Sequence, residues 1–292
     1  NVNQLTQAVR DILLTPHNMN AGFSSNLTIG IILTVVAGIV ILGGLKRISK
    51  TASRLVPSMV IIYFVCVFGI LILHIDVLPK YLGMIFTDAF AANNLKGDPL
   101  LGGALGGLIL IGIKRGAFSN EAGIGTAPMA HGAAKTSEPI REGLVASLGP
   151  FIDTIIVCTL TALAILVTDV WKLENVDGVT MTAKAFGKAF PGFGQYILLA
   201  CISIFSISSL FSYSYYGTKC MSFIFGADKK AYYNYFYLFS IVIGAVSSLS
   251  IILNLIDGFF ALMAIPTMIA TLIMSPRVIK EAKSYIQRIK KV

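Results

Sequence analysis

Ser119, Asn120 and Glu121 close an apolar run and are followed at once by Gly123, Ile124, Gly125 and Thr126, in a chain whose mean hydropathy is +0.80. A carboxylate and a carboxamide at membrane depth are costly unless they face a cavity or a partner. The glycines Gly112, Gly116, Gly123 and Gly125, with Pro128 beyond, predict that the helix breaks here. Irregular backbone is tolerated inside a bilayer only where protein or a water-filled cavity satisfies it, so the break predicts a binding site. Amide groups at a helix start suit a carboxylate, whereas freed carbonyls and side-chain oxygens suit an ammonium group or an alkali cation. Lys114 and Arg115 flank the break, and two readings are open for them: contact with a ligand, or pairing with Glu121.

Two further places carry polar groups in apolar surroundings. Asp153, in Gly149-Pro150-Phe151-Ile152-Asp153-Thr154, is either a cap or partner for the broken segment or a cation ligand. Ser203, Ser206, Ser208, Ser209, Ser212 and Ser214 crowd another apolar run. Serines serve as glue between helices, but the adjacent hydroxyls of Ser208 and Ser209 also supply hard oxygens of the kind an alkali cation needs. Tyr213, one helical turn beyond Ser209, would close a pocket. Asn254 and Asp257 read as solvated residues of a short outer turn.

Other chemistries are poorly supported. Cys66, Cys158, Cys201 and Cys220 show no paired spacing, and His17, His74 and His131 stand singly, which argues against metal and disulfide frameworks. There is no paired carboxylate, serine–histidine set or metal motif to support an enzyme or a resident cofactor. The net charge of +9 comes from basic residues in short loops rather than from a stripe with interleaved aromatics, which argues against nucleic acid.

The elements that must position these residues are membrane helices. With 55% hydrophobic and 13% charged residues the chain lacks the polar surface of a soluble globule, and it reads as an all-α polytopic membrane protein in a lipid bilayer. Seven spans are predicted: Leu27 to Gly44, Leu55 to His74, Leu100 to Ala134 with its break, Gly143 to Thr168, Tyr196 to Gly217, Tyr233 to Ser250 and Leu255 to Met274. Tyr81 to Ala92 reads as an amphipathic helix outside the spans. Gly102, Gly103, Gly106 and Gly107 give the third span a small-residue face that would permit close helix approach.

The loops around Lys46, Lys135 and Lys219, together with the basic tail 277–292, collect fifteen Lys and Arg residues on one side; the loops around Arg10, Lys80, Lys96 and Lys172 collect six on the other. The first side is therefore expected to be cytoplasmic, with the C-terminus inside and the N-terminus outside. Asn1-Val-Asn-Gln is neither a start nor a signal peptide, so the chain is expected to be truncated at its front by an odd number of helices.

Lys114 to Pro128, then Gly143-Leu-Val, then Phe151-Ile-Asp-Thr154, resemble the alanine or glycine:cation symporter family, and the likeness runs from the first residues to about Arg277. The resemblance implies a single transmembrane transporter domain over 1–292. It also implies the five-plus-five inverted-repeat, leucine-transporter-type fold with about seven spans present, as helices four to ten. It further implies sodium-coupled, in some members proton-coupled, symport of alanine or glycine across the cell membrane by alternating access. By that likeness Ser119, Asn120, Gly123, Ile124, Gly125, Ser209, Leu210 and Tyr213 would bind substrate, Ser208 and Ser209 would bind sodium, and Glu121 and Asp153 would support them. Ser208 and Ser209 stand where the family has a threonine pair, and Tyr213 where some members have tryptophan, which alters pocket size and adds a hydroxyl. Asn3, Gln4 and Gln7 would lie near a glutamine that the family uses. A different class, a channel or a non-transporting membrane subunit that assembles with other helices, is the alternative; a channel would pass sodium without amino acid.

Overall fold

The computed structural model describes residues 1–17, 22–91, 99–121, 123–174, 176 and 178–290. Ala92, Lys96, Lys291 and Val292 of the readings above lie outside the described residues. In chain order the helices are α1 Val2–Val9, α2 Phe23–Ile41, α3 Leu45–Leu73, α4 Leu78–Ala91, α5 Pro99–Asn120 and α6 Thr126–His131. They continue with α7 Pro139–Pro150, α8 Thr159–Val167, α9 Gly178–Ala189, α10 Gly194–Phe225, α11 Lys230–Val246 and α12 Leu249–Ile289. No strand occurs among the described residues.

Among the described residues five stretches are long and apolar enough to cross a bilayer: Phe23–Ile41, Lys50–Leu73, Pro139–Val167, Gly194–Phe225 and Leu249–Ile289. They are the first, second, fourth, fifth and seventh of the predicted spans. The third is divided between α5 and α6, and the sixth is the 17-residue α11. Large apolar side chains such as Ile61, Val65, Leu262 and Ile273 stand more than half exposed along these helices, as lipid-facing residues do. The chain is a multi-pass α-helical membrane protein.

Two compact units divide it. The first, Asn1–Ile85 with Leu160–Ile252, has the deeper core. Val67 and Ile70 of α3, Phe186 of α9 and Leu198 and Phe211 of α10 are nearly inaccessible, and the Tyr63 and Phe186 rings stack 5.9 Å apart. α2 packs on α11, and α10 on α3, α9 and α11. A Cβ at Gly30 would come within 2.7 Å of the Ala245 Cβ, so the close contact of α2 with α11 depends on glycine there. On α1, the Asn3 amide donates to the Gly244 and Ser247 carbonyls, and Gln7 to Thr180 Oγ1 at 3.4 Å. α4, expected as an amphipathic helix, carries Tyr81, whose buried ring sends its hydroxyl to Asp169.

The second unit, Phe86–Thr159 with Leu253–Val292, holds α5, α6, α7, most of α12 and a π-helical segment, Phe151–Cys158, that continues α7. One reading is corrected here. The turn before the last span lies at Ser247 and Ser248, not around Asn254 and Asp257, which are helical residues of α12. Residues 277–289 of the basic tail continue the same helix, which passes Pro266 and Pro276 without ending. A Cβ at Gly107 would meet nothing within 4 Å, so no described neighbour uses the small-residue face of α5 there.

Candidate functional site

The break falls where the glycines predicted it. α5 ends at Asn120, and three of the next five residues have left-handed backbone: Glu121 at φ +55°, Gly123 at +81° and Gly125 at +87°. For Glu121 this conformation is strained, whereas glycine adopts it freely. Gly125 is constrained twice, because a Cβ there would lie 2.8 Å from Thr267 Oγ1 of α12. Met268 follows, its sulfur 3.6 Å from where a Cβ on Gly123 would be. Ile124 and Thr126 are buried, and Thr126 Oγ1 donates to Glu121 Oε2 at 2.5 Å, closing the break on itself.

Two hydrogen bonds join the end of α5 to the π-helical segment. Ser119 Oγ donates to Asp153 Oδ2 at 2.6 Å, and Asn120 Nδ2 to Thr154 Oγ1 at 3.0 Å. Consecutive residues on one element thus meet consecutive residues on the other. A π-helical turn is wider than an α turn and rotates less per residue, which brings Asp153 and Thr154 onto a shared side. Asp153 therefore has a partner at the break, and its free lone pairs still permit it to accept from a ligand or meet a cation.

The flanking charges are placed differently from expectation. Lys114 Nζ lies 2.7 Å and Arg115 Nη2 3.0 Å from Asp257 Oδ2, so both cations pair with α12, a partner that neither of the two open readings named. The Phe118 and Phe260 rings, 5.3 Å apart, pack beside this contact, and the Arg115 guanidinium stands 5.9 Å from the Phe118 ring. Asp257, Thr267 and Met268 are the residues sequence reasoning missed. An acidic residue within an apolar run was the available signal for Asp257; nothing local signals the other two. Beyond the break, His131 Nδ1 and Glu142 Oε1 pair at 2.7 Å across the turn between α6 and α7.

In the first unit the serine-rich run lies on α10. Ser208 is buried and donates to the Phe205 carbonyl at 2.8 Å; Ser203, Ser212 and Ser214 likewise donate to carbonyls of their own helix. Used this way, a hydroxyl keeps its oxygen lone pairs available as hard donors. Ser209 is half-buried, Leu210 is buried, and the Leu210 carbonyl accepts from Tyr237 at 2.8 Å. Tyr213 and Tyr216 meet edge to face at 5.9 Å. Among the described residues no group of His, Cys, Asp or Glu has the arrangement of a metal site, so an ion bound here would rest on hydroxyl and carbonyl oxygens.

A family model described as the sodium:alanine symporter family matches residues 1–292. The chain belongs to the sodium:alanine symporter family. It is 36% identical over 262 residues to the sodium/alanine symporter AgcS of Methanococcus maripaludis, covering 89% of this chain and 56% of that one. The probable sodium/glutamine symporter GlnT of Bacillus subtilis is 34% identical over 267 residues, 91% of this chain and 55% of its own length. The sodium/proton-dependent alanine carrier protein of Bacillus sp. strain PS3 is 33% identical over 225 residues, with coverages of 72% and 49%. The chain thus spans about half the length of these curated relatives. Membership of the sodium:alanine symporter family makes it a transporter-family protein rather than an enzyme.

Proposed function

We propose that this chain forms part of a sodium-coupled symporter of small neutral amino acids, alanine or glycine first, working by alternating access in the cell membrane with its C-terminus in the cytoplasm. The observation that carries the reading is the left-handed break at Glu121, Gly123 and Gly125, held between the Ser119–Asp153 and Asn120–Thr154 hydrogen bonds and Thr267. Unwound backbone of this kind supplies both polarities an amino-acid zwitterion needs. On this reading Ser119, Asn120, Gly123, Ile124, Gly125, Ser209, Leu210 and Tyr213 are the substrate-binding residues. Ser208 and Ser209 take the sodium ion, with Glu121 and Asp153 in support. The names of the Methanococcus and Bacillus relatives support sodium as the coupling ion; the strain PS3 name makes the proton an alternative, and the glutamine symporter name makes a larger amide substrate an alternative. The five-plus-five inverted-repeat fold is part of the same proposal.

Uptake of labelled alanine into proteoliposomes tests it. An imposed inward sodium gradient should drive accumulation, and Asn120→Ala or Ser209→Ala should abolish or strongly weaken it. Normal uptake by both variants would show that the site is misplaced, and sodium flux that needs no amino acid would favour a channel.

A further inference from the structure

A cavity of about 500 Å³ lies between the end of α2, the start of α3, the end of α10 and the start of α11. Its two walls differ in chemistry. Ile41 and Ile48 form an apolar wall and are themselves buried. Lys219 and Ser222 of α10 and Lys230 and Asn234 of α11 form the other. The Asn234 amide meets Thr218 Oγ1 at 2.9 Å, and Thr218 Oγ1 also lies 2.7 Å from the Ser214 carbonyl; with two hydrogens on its NH₂, Asn234 keeps at least one N–H to donate. Two ammonium groups, an amide NH₂ and a hydroxyl therefore share one wall, and it calls for an acceptor-rich anion.

Neither lysine is in an ion pair among the described residues. Asp228, on the short turn between α10 and α11, neither lines the cavity nor pairs with them. The residues that flank the lysines in sequence are exposed aromatics: Phe223 at 92%, Phe225 at 63%, Tyr232 at 67% and Tyr235 at 64%. Tyrosines such as Tyr232 and Tyr235, each with an apolar ring and a polar hydroxyl, gather at the headgroup level of a bilayer. Lys219 stands 5.4 Å from the Tyr215 ring but has no carboxylate partner among the described residues, and neither has Lys230; an apolar wall beside such cations at that level fits an amphiphile better than a water-soluble anion, and basic pockets between membrane helices hold anionic headgroups.

We propose that this cavity binds the headgroup of an anionic phospholipid. The phosphate sits between Lys219 and Lys230, Asn234 and Ser222 donate to its oxygens, and the start of the acyl chains lies on Ile41 and Ile48. The site is independent of the transport reading, because it needs no sodium and no amino acid.

Native mass spectrometry of the detergent-solubilised protein, titrated with phosphatidylglycerol or phosphatidylcholine, tests this. Phosphatidylglycerol should bind at least tenfold more tightly. The double variant Lys219→Gln/Lys230→Gln should weaken it by about thirtyfold, since each lysine near an anionic lipid contributes about fivefold. Ser222→Trp, which fills the cavity while keeping both lysines, should also remove the preference. A matched loss of charge elsewhere, Lys280→Gln/Lys283→Gln, should leave it intact. Equal binding of the two lipids, or equal effects of the two double variants, would overturn the proposal. So would displacement of the lipid by millimolar inorganic phosphate, which would make the site one for free phosphate.

Discussion

Gly125 and Thr267 meet at the point where the chain leaves regular helix: a Cβ on Gly125 would lie 2.8 Å from Thr267 Oγ1, and Gly125 sits at φ +87°. Thr267 is itself held, its hydroxyl donating to the Met263 carbonyl at 2.9 Å, one turn earlier on α12. The shape of the break is thus fixed from outside as well as by its own glycines. Pro266, the residue before Thr267, lacks the amide hydrogen that would bond the Leu262 carbonyl, which loosens α12 where it faces the break.

Gly125→Ala should destabilise the protein by about 1–2 kcal/mol through its left-handed backbone, and by more through the clash. Adding Thr267→Ala removes the clash but not the backbone strain, so rescue should be partial. Thermal unfolding in detergent, with alanine uptake alongside, checks the order wild type, double variant, single variant. Full rescue would mean that the positive φ carries no cost.

Asp257→Asn leaves the half-exposed Lys114 and Arg115 without their shared carboxylate, and should lower stability by about 1 kcal/mol. The triple variant Lys114→Gln/Arg115→Gln/Asp257→Asn removes the uncompensated charge and should be closer to wild type than Asp257→Asn alone. Melting temperatures of the three proteins decide this.

Ser119→Ala and Asp153→Asn should each depress uptake, and the double variant should fall short of their product. A coupling of about 0.5–3 kcal/mol is the range for residues in direct contact. Independent effects would mean that the 2.6 Å hydrogen bond is not used in transport.

Outside the spans, Asp169 is held below the usual carboxylate range, first by its hydrogen bond with Lys172 and then by that from Tyr81. Tyr81 and Lys172 are raised, each chiefly by its hydrogen bond to Asp169. Because the Asp169 value falls on folding, its contribution is present above about pH 4 and is lost as pH drops further. Because the Tyr81 and Lys172 values rise, their contributions are present below about pH 10 and are lost as pH climbs through the alkaline range. Asp169→Asn should flatten the stability profile at both ends; an unchanged profile would show that the cluster contributes nothing.

The break, the amphipathic α4 and the five stretches long and apolar enough to cross a bilayer were legible because each has a local signature: glycines and polar residues between apolar flanks, or a long apolar run. What escaped was non-local or had a misleading local sign. Asn254, Asp257 and Gly258 have the composition of a turn, yet the turn came at Ser247-Ser248 and Asp257 became the partner of a residue 143 positions before it. Pro266 and Pro276 ordinarily end helices, but α12 runs through both. Asp153 was legible as a partner of the broken segment, but the wide turn at Phe151–Cys158 has no sequence signal beyond Pro150, so its pairing with Ser119, and that of Thr154 with Asn120, could not be read residue by residue.

The most direct test of the central claim is the linkage between the two ligands. Alanine binding to the purified protein should strengthen as sodium is raised, sodium binding should strengthen by the same factor as alanine is raised, and Ser209→Ala should weaken both. Alanine binding that is indifferent to sodium, or a sodium effect without its reciprocal, would contradict sodium-coupled symport at the broken helix.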